Sequence, residues 1–239
     1  MTGSVADARE LLLGVPNLES FGVADMMALR ADIRGAFDAG PAGSFEEAAQ
    51  LLAQLLRSRL STSKGEPACA LVRIFKTHPL AALDEELKTW AMQRMTDTDR
   101  TAATRCLILM GSDGVEPAWR SRHGSIGHKA IPMVDADSVA QIPMVAQLIR
   151  QLGLDTTTVL RPDARLLLLA DKRTDGVFHV PDARDSAYIP AQKGFVVPYG
   201  VRSVLGFGGM LTSGDLVAAI LFSTVSVSTP VAEQFRISD

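Results

Sequence analysis

The sequence predicts an α+β domain, an antiparallel sheet with flanking helices and an N-terminal helical appendage. Two observations carry this expectation. The first is the stretch Phe195 to Ser223 (FVVPYGVRSVLGFGGMLTSGDLVAAILFS), which reads as a hairpin. Its first arm, Val201 to Leu211, is apolar but broken by Gly206, Gly208 and Gly209, as in a strand that bulges or meets another backbone closely. Thr212-Ser213-Gly214-Asp215 forms the turn, and Leu216 to Phe222 is an unbroken apolar run of strand length, expected to be buried on both faces. The second is the order of the other elements: helix, two strands, helix, short strands, the hairpin and an outgoing helix.

The 239 residues suffice for one large domain or a domain with an appendage. Hydrophobic residues make up 47% and charged residues 21%, ordinary globular usage that excludes a disordered or fibrous chain. A net charge of -3 without a Lys/Arg cluster argues against nucleic acid as a partner. The longest apolar runs, Leu166 to Ala170 and Leu216 to Phe222, fall short of the roughly 20 residues that span a bilayer. No membrane association is expected, and the N-terminus lacks the basic start and apolar core of a secretion signal. Cys69 and Cys106 lie in apolar strand-like runs, so both are expected to be buried thiols in a cytoplasmic protein.

Two short helical patterns, Val5 to Leu13 and Val23 to Phe37, precede the turn-forming cluster Asp38 to Gly43, which sets the boundary of the appendage (1–43) from the main domain (44–239). Ser44 and Glu47 make a capping box for a helix whose apolar face is Ala48, Leu51, Leu52, Leu55 and Leu56. That face suits a sheet or a second copy of the helix. Ala68 to Phe75 is predicted as a strand closed by Lys76-Thr77-His78-Pro79, Leu83 to Met95 as a helix with Asp84, Glu85 and Glu86 in its first turn, and Arg105 to Met110 as a second strand. Val115 to Met133 reads as a long irregular loop. Asp137 or Ser138 is expected to cap a helix through Leu152, with Pro143 kinking it or confined to its first turns and Gly153 as its stop. Leu166 to Ala170 fits strand or helix equally. Gly176 to Val180 reads as a short strand. A final helix begins at Thr229 as N-cap with Pro230 at its first position, and leads either to further chain or to a short tail.

The strings ACALVRIFKTHP, CLILMGSDGVEPAWRSRHGSIGHKAIPM, PMVAQLIRQLGL and YIPAQKGFVVPYGVRSVLGFGGMLTSGDLVAAILFS together resemble the N-terminal sensory module of bacterial histidine kinases and related signalling proteins. The likeness runs in one order from about Ser44 to Phe235, and the element order is similar to a GAF-like fold (GAF/PAS-like). The resemblance implies ligand sensing ahead of a kinase or other signalling output domain. No histidine-box helix and no Gly-rich ATP-binding region follow the module, so it implies regulation rather than phosphotransfer by this chain. It carries no ligand and no site assignment.

The candidate ligand-binding residues come from the chemistry of the residues themselves. In the loop Trp119 to His128, Arg120 and Arg122 offer planar forks for a carboxylate or phosphate; solvated surface arginines are the alternative. His123 and His128, five apart, and His179 in GVFHVP open a second reading as ligands of a metal or haem iron, although the spacing matches no ligand motif. His179 must face the side opposite to Phe178. Arg73 within ALVRIF and Arg202 in YGVRSVLGF are charges in apolar strands, costly to bury without a partner. If both share a sheet face with the loop arginines, they form a pocket for an acidic ligand. No catalytic motif is present. The expected function is therefore a cytoplasmic sensor that binds a small ligand and relays a conformational change through terminal helices, as a homodimer through the leucine stripe. A haem- or metal-binding sensor and a ligand-free scaffold are the alternatives.

Overall fold

The computed structural model describes residues 16–40, 42–163 and 176–236. The expected helix Val5 to Leu13 and the undecided run Leu166 to Ala170 lie outside them. The described helices are α1 (Val23–Ala39), α2 (Phe45–Arg59), α3 (Glu85–Met92), α4 (Ala136–Ala140), α5 (Pro143–Gln151), α6 (Thr156–Leu160) and α7 (Thr229–Glu233). Six strands, β1 (Cys69–Pro79), β2 (Arg105–Gly114), β3 (Ala130–Met133), β4 (Phe178–Val180), β5 (Ser203–Met210) and β6 (Leu216–Ser223), form one antiparallel sheet in the order β3-β2-β1-β6-β5-β4. The α+β class expected from the sequence is the class observed.

Side-chain alternation splits the sheet into two buried faces. Leu71 and Phe75 of β1, Leu107 and Leu109 of β2, Ala218, Ile220 and Phe222 of β6 and Phe178 of β4 meet Val145, Leu148 and Ile149 of α5. Their neighbours Val72, Ile74, Leu205, Ala219 and Leu221 turn the other way, onto Ala49, Ala53 and Leu56 of α2, Phe21 and Leu29 of the N-terminal segment, and Val231 and Phe235 at the C-terminus. Phe21 stacks on Phe235 with centroids 4.8 Å apart, so the segment before residue 44 shares this core. A third cluster seats Leu87 and Ala91 of α3 on Cys106, Ile108 and Ala130. Burial on both faces explains why β6 is apolar throughout, each large side chain contributing about 2 kcal/mol.

Local sequence explains most boundaries. Ser44 Oγ accepts from Glu47 N at 3.1 Å, while the Glu47 carboxylate accepts from Gly43 N at 2.7 Å, one residue before the box predicted. Asp84 caps α3 through Leu87 N, with Glu85 and Glu86 in the first turn. The register of β1 on β2 shifts between Ile74 and Phe75, and Gly111 at that irregularity lets α2 close in: a Cβ there would lie 2.3 Å from the Ala49 carbonyl oxygen. Cys69 and Cys106 are free and buried, as expected, and burial pushes their thiols up to about 12 and about 11.

Several boundaries differ from the expectation. β1 continues through His78 and Pro79, which pair with Cys106 and Arg105, and β2 runs on to Gly114. The stretch read as wholly irregular holds β3, where Pro132 lies on an edge strand and its missing N–H costs no ladder bond. The single helix predicted around Pro143 is two: α4 is capped by Asp135, not Asp137 or Ser138, and α5 starts at Pro143, where proline is tolerated. The N-cap position of α7 is Ser228 rather than Thr229, without a side-chain capping bond. A π-helical turn over Gln192–Val196 stands where the hairpin was expected to open.

Candidate functional site

Between the β1–β2–β6 face and the layer of loops and α5 that covers it lies a cavity of about 350 Å³. Its floor is Leu71, Arg73 and Phe75 with Leu107, Ile220 and Phe222. Its walls are Trp119, Ser125 to His128 and Ile131 on one side, Ile142, Val145 and Leu148 on another, and Ile189 to Ala191 with Phe195 on the third. The lining is apolar apart from Arg73, Ser125, His128 and the indole of Trp119.

The wall from Trp119 to His128 is held from several sides. Trp119 meets Tyr199 at 4.6 Å and Phe195 edge-on at 5.4 Å, and Phe195 packs edge-on against Phe222 at 5.1 Å. Tyr199 donates its hydroxyl to Glu116 Oε1 at 3.0 Å. Ser112 Oγ donates to the Trp119 carbonyl at 2.8 Å. β3 pairs only with Arg105 to Ile108, which leaves the far half of β2 an open edge; there the Gln50 side chain takes the place of a strand, accepting from Ser112 N at 3.2 Å and donating to Ser112 O at 3.0 Å. The same amide donates to the Arg120 carbonyl at 3.0 Å, tying the loop to α2.

Arg73 is the one arginine among the described residues that line the cavity. Its Nη2 donates to Ser125 Oγ at 3.3 Å, and its Nε is buried without a hydrogen-bond partner among the described residues. Burial pulls its pKa down to about 10, so it stays protonated at neutral pH. Ser125 Oγ donates in turn to the Gly127 carbonyl at 2.7 Å, so its proton is committed. His128 stands at the mouth, held below the usual histidine range by desolvation and then by the charges of Arg73 and Arg94. The arrangement can hold apolar volume and neutralise one negative charge.

Of the residues singled out in the sequence, Arg73, Trp119 and His128 line the cavity. Arg120 is exposed and contributes its carbonyl to Gln50. Arg122 and His123 turn away from the cavity onto Glu46 of α2, at 2.5 Å and 2.9 Å. The hydrogen bond from Arg122, with the charges of Arg122 and His123, holds Glu46 below the usual carboxylate range against the opposing effect of burial. His179 faces the α1–α2 side, with Nε2 2.9 Å from the Val227 carbonyl. Arg202 is exposed just before β5, beside Asp182 and Arg184. The shared pocket of Arg73, Arg202 and the loop arginines is therefore not formed, and His123, His128 and His179 do not converge. Among the described residues no group of three His, Cys, Asp or Glu side chains is placed to hold a metal ion.

Ser125, Ile220, Phe222 and Phe195 belong to the site without having been singled out for it. The apolar spacing of Ile142, Val145 and Leu148 marked a helix face but not a cavity wall. Among the described residues no helix is long and apolar enough to cross a membrane. Comparison with protein-family models, with curated proteins and with solved structures finds no match.

Proposed function

We propose that this chain is a GAF-like sensory or regulatory domain that binds a small molecule in the cavity over β1, β2 and β6 and relays its occupancy to the C-terminal helix. The observation that carries the reading is the cavity itself: about 350 Å³, apolar, with convergent polar groups, within the roughly 300–1,000 Å³ of small-ligand pockets. Among the described residues three non-glycine residues have left-handed backbone, and two of them, His128 and Ala191, line it. Such conformations cost on the order of 1–3 kcal/mol and gather at ligand clamps. An antiparallel sheet with helices on its back, here α1, α2 and α7, is what the resemblance to sensory modules of histidine kinases implies, with a kinase or other output domain as partner and the cytoplasm as compartment.

The relay would run along β6. Ile220 and Phe222 touch the cavity, and the same strand leads through Val225 and Val227 to α7, whose Val231 is buried with Phe235 against Phe21. A ligand shifts this equilibrium only by its differential affinity for two arrangements of those contacts. An open cavity supports this reading over that of a ligand-free scaffold, and among the described residues the separation of the three histidines leaves a multi-histidine metal site without a ligand set.

The test uses the neutral apolar dye N-phenylnaphthylamine. Saturable binding with enhanced emission is expected, abolished in Ile142→Trp, which fills the cavity, with circular dichroism unchanged. At saturation, amide exchange in residues 225–235 should slow. A folded chain that takes up no dye would sink the proposal.

A further inference from the structure

We propose that the ligand of this cavity is an amphipathic monoanion, an apolar body ending in a single carboxylate that pairs with Arg73. The inference rests on the sensory reading of the cavity and deepens it. Among the described residues, Arg57, Arg73 and Arg105 bury an Nε that lacks a hydrogen-bond partner, and Arg122 buries its Nε against Glu46. Arg57 faces Asp113 at 3.5 Å, Arg105 faces Asp215 at 2.6 Å and Arg122 faces Glu46 at 2.5 Å. Arg73 faces no acid among the described residues; its one side-chain hydrogen bond among them goes to a neutral serine hydroxyl at 3.3 Å. A guanidinium in an apolar lining without a counter-charge is costly, and an acid supplied from outside removes that cost. The side chain presents donors in a planar fork that matches a carboxylate in two parallel bonds.

The charge balance limits the head group to one negative charge. Among the described residues Arg73 is the single permanent cation of the lining, and His128 is held toward its neutral form by desolvation and by Arg73 itself. A phosphate dianion would be left half neutralised. Apart from Arg73, His128, Ser125 and the Trp119 indole, the described lining is made of side chains such as Phe75, Leu107, Ile142, Val145, Leu148 and Phe222, which offer no hydrogen bond to a polar body. A straight or ring hydrocarbon fits that chemistry; a sugar or a peptide does not.

Three probes with the same tail and different heads separate the possibilities: octanoate, octanol and octyl phosphate, each titrated calorimetrically and by displacement of N-phenylnaphthylamine. Octanoate is expected to bind roughly 10- to 100-fold tighter than octanol, the range of a charge-assisted hydrogen-bonded contact. Arg73→Gln should erase that preference, bringing the affinity for octanoate to or below that for octanol. The comparison of heads on the unaltered chain needs no variant, so a poorly folding Arg73→Gln leaves the test intact. Equal affinity for octanoate and octanol, or tightest binding of octyl phosphate, overturns the monoanion assignment while the dye result keeps the cavity reading. Failure of all three probes and of the dye overturns both.

Discussion

Arg105 begins β2 and reaches beneath the β5–β6 turn, where its Nη2 lies 2.6 Å from Asp215 Oδ1, 2.9 Å from Thr77 Oγ1 and 3.0 Å from the Gly214 carbonyl. Lys76 Nζ sits 2.9 Å from the other carboxylate oxygen. Burial works against the ionised Asp215, but hydrogen bonds from Lys76, Ser213 and Arg105 outweigh it and hold its pKa below the usual value. A depressed carboxylate contributes stability that is present above its unfolded pKa and is lost as pH falls through the folded one. Asp215→Asn leaves two nearly buried cations facing a neutral amide, and should cost about 3 kcal/mol at neutral pH. In urea unfolding followed from neutral to acid pH, the gap between the two proteins should be full above the ordinary aspartate pKa and close below it. A gap independent of pH would show that packing, not charge, is what Asp215 supplies. The sequence placed Asp215 only in a turn, because its two cationic partners, Lys76 and Arg105, are more than a hundred residues away in the chain.

At the scale of elements, the β5–β6 hairpin depends on how closely its two backbones approach. A Cβ at Gly208 would lie 2.0 Å from the Val217 carbonyl oxygen, in the strand opposite, where no side-chain motion relieves it. Gly208→Ala should therefore cost more than about 2 kcal/mol, read by thermal unfolding; a cost of a few tenths would show that the strands part freely there. The hairpin was legible because turn chemistry and apolar runs are local signals. β3 was not, since a four-residue edge strand containing Pro132 carries no periodicity. The split at Pro143 was half legible: proline marks a break, but whether it kinks one helix or starts another is decided by the Asp135 cap and by what α5 packs against.

At the scale of the whole molecule, the leucine stripe of α2 divides. Leu56 is buried on the sheet and Leu52 packs beside it, whereas Leu51 and Leu55 remain half-buried outside that cluster. The homodimer proposed from the stripe thus rests on Leu51 and Leu55. Light scattering at micromolar concentration should give the mass of two chains and, for Leu51→Glu with Leu55→Glu, that of one; a monomeric parent chain ends the proposal. The site shows what one sequence conveys about such assembly. Arg73 stood out because a charge inside an apolar run always demands an explanation. Arg120, Arg122 and His123 stood out for the same donor chemistry, yet a loop has no period to say which side chain turns inward, and here the acid of α2 draws two of them away.

The chain has two tryptophans. Trp119 forms part of the cavity wall, against Phe195 and Tyr199, whereas Trp90 lies outside that cavity with the Arg94 guanidinium 4.2 Å from its ring centroid. The molecule therefore carries its own optical reporter: in Trp90→Phe, all indole emission comes from the wall of the cavity, and its wavelength registers whether the space beside it holds solvent or hydrocarbon, with no label added.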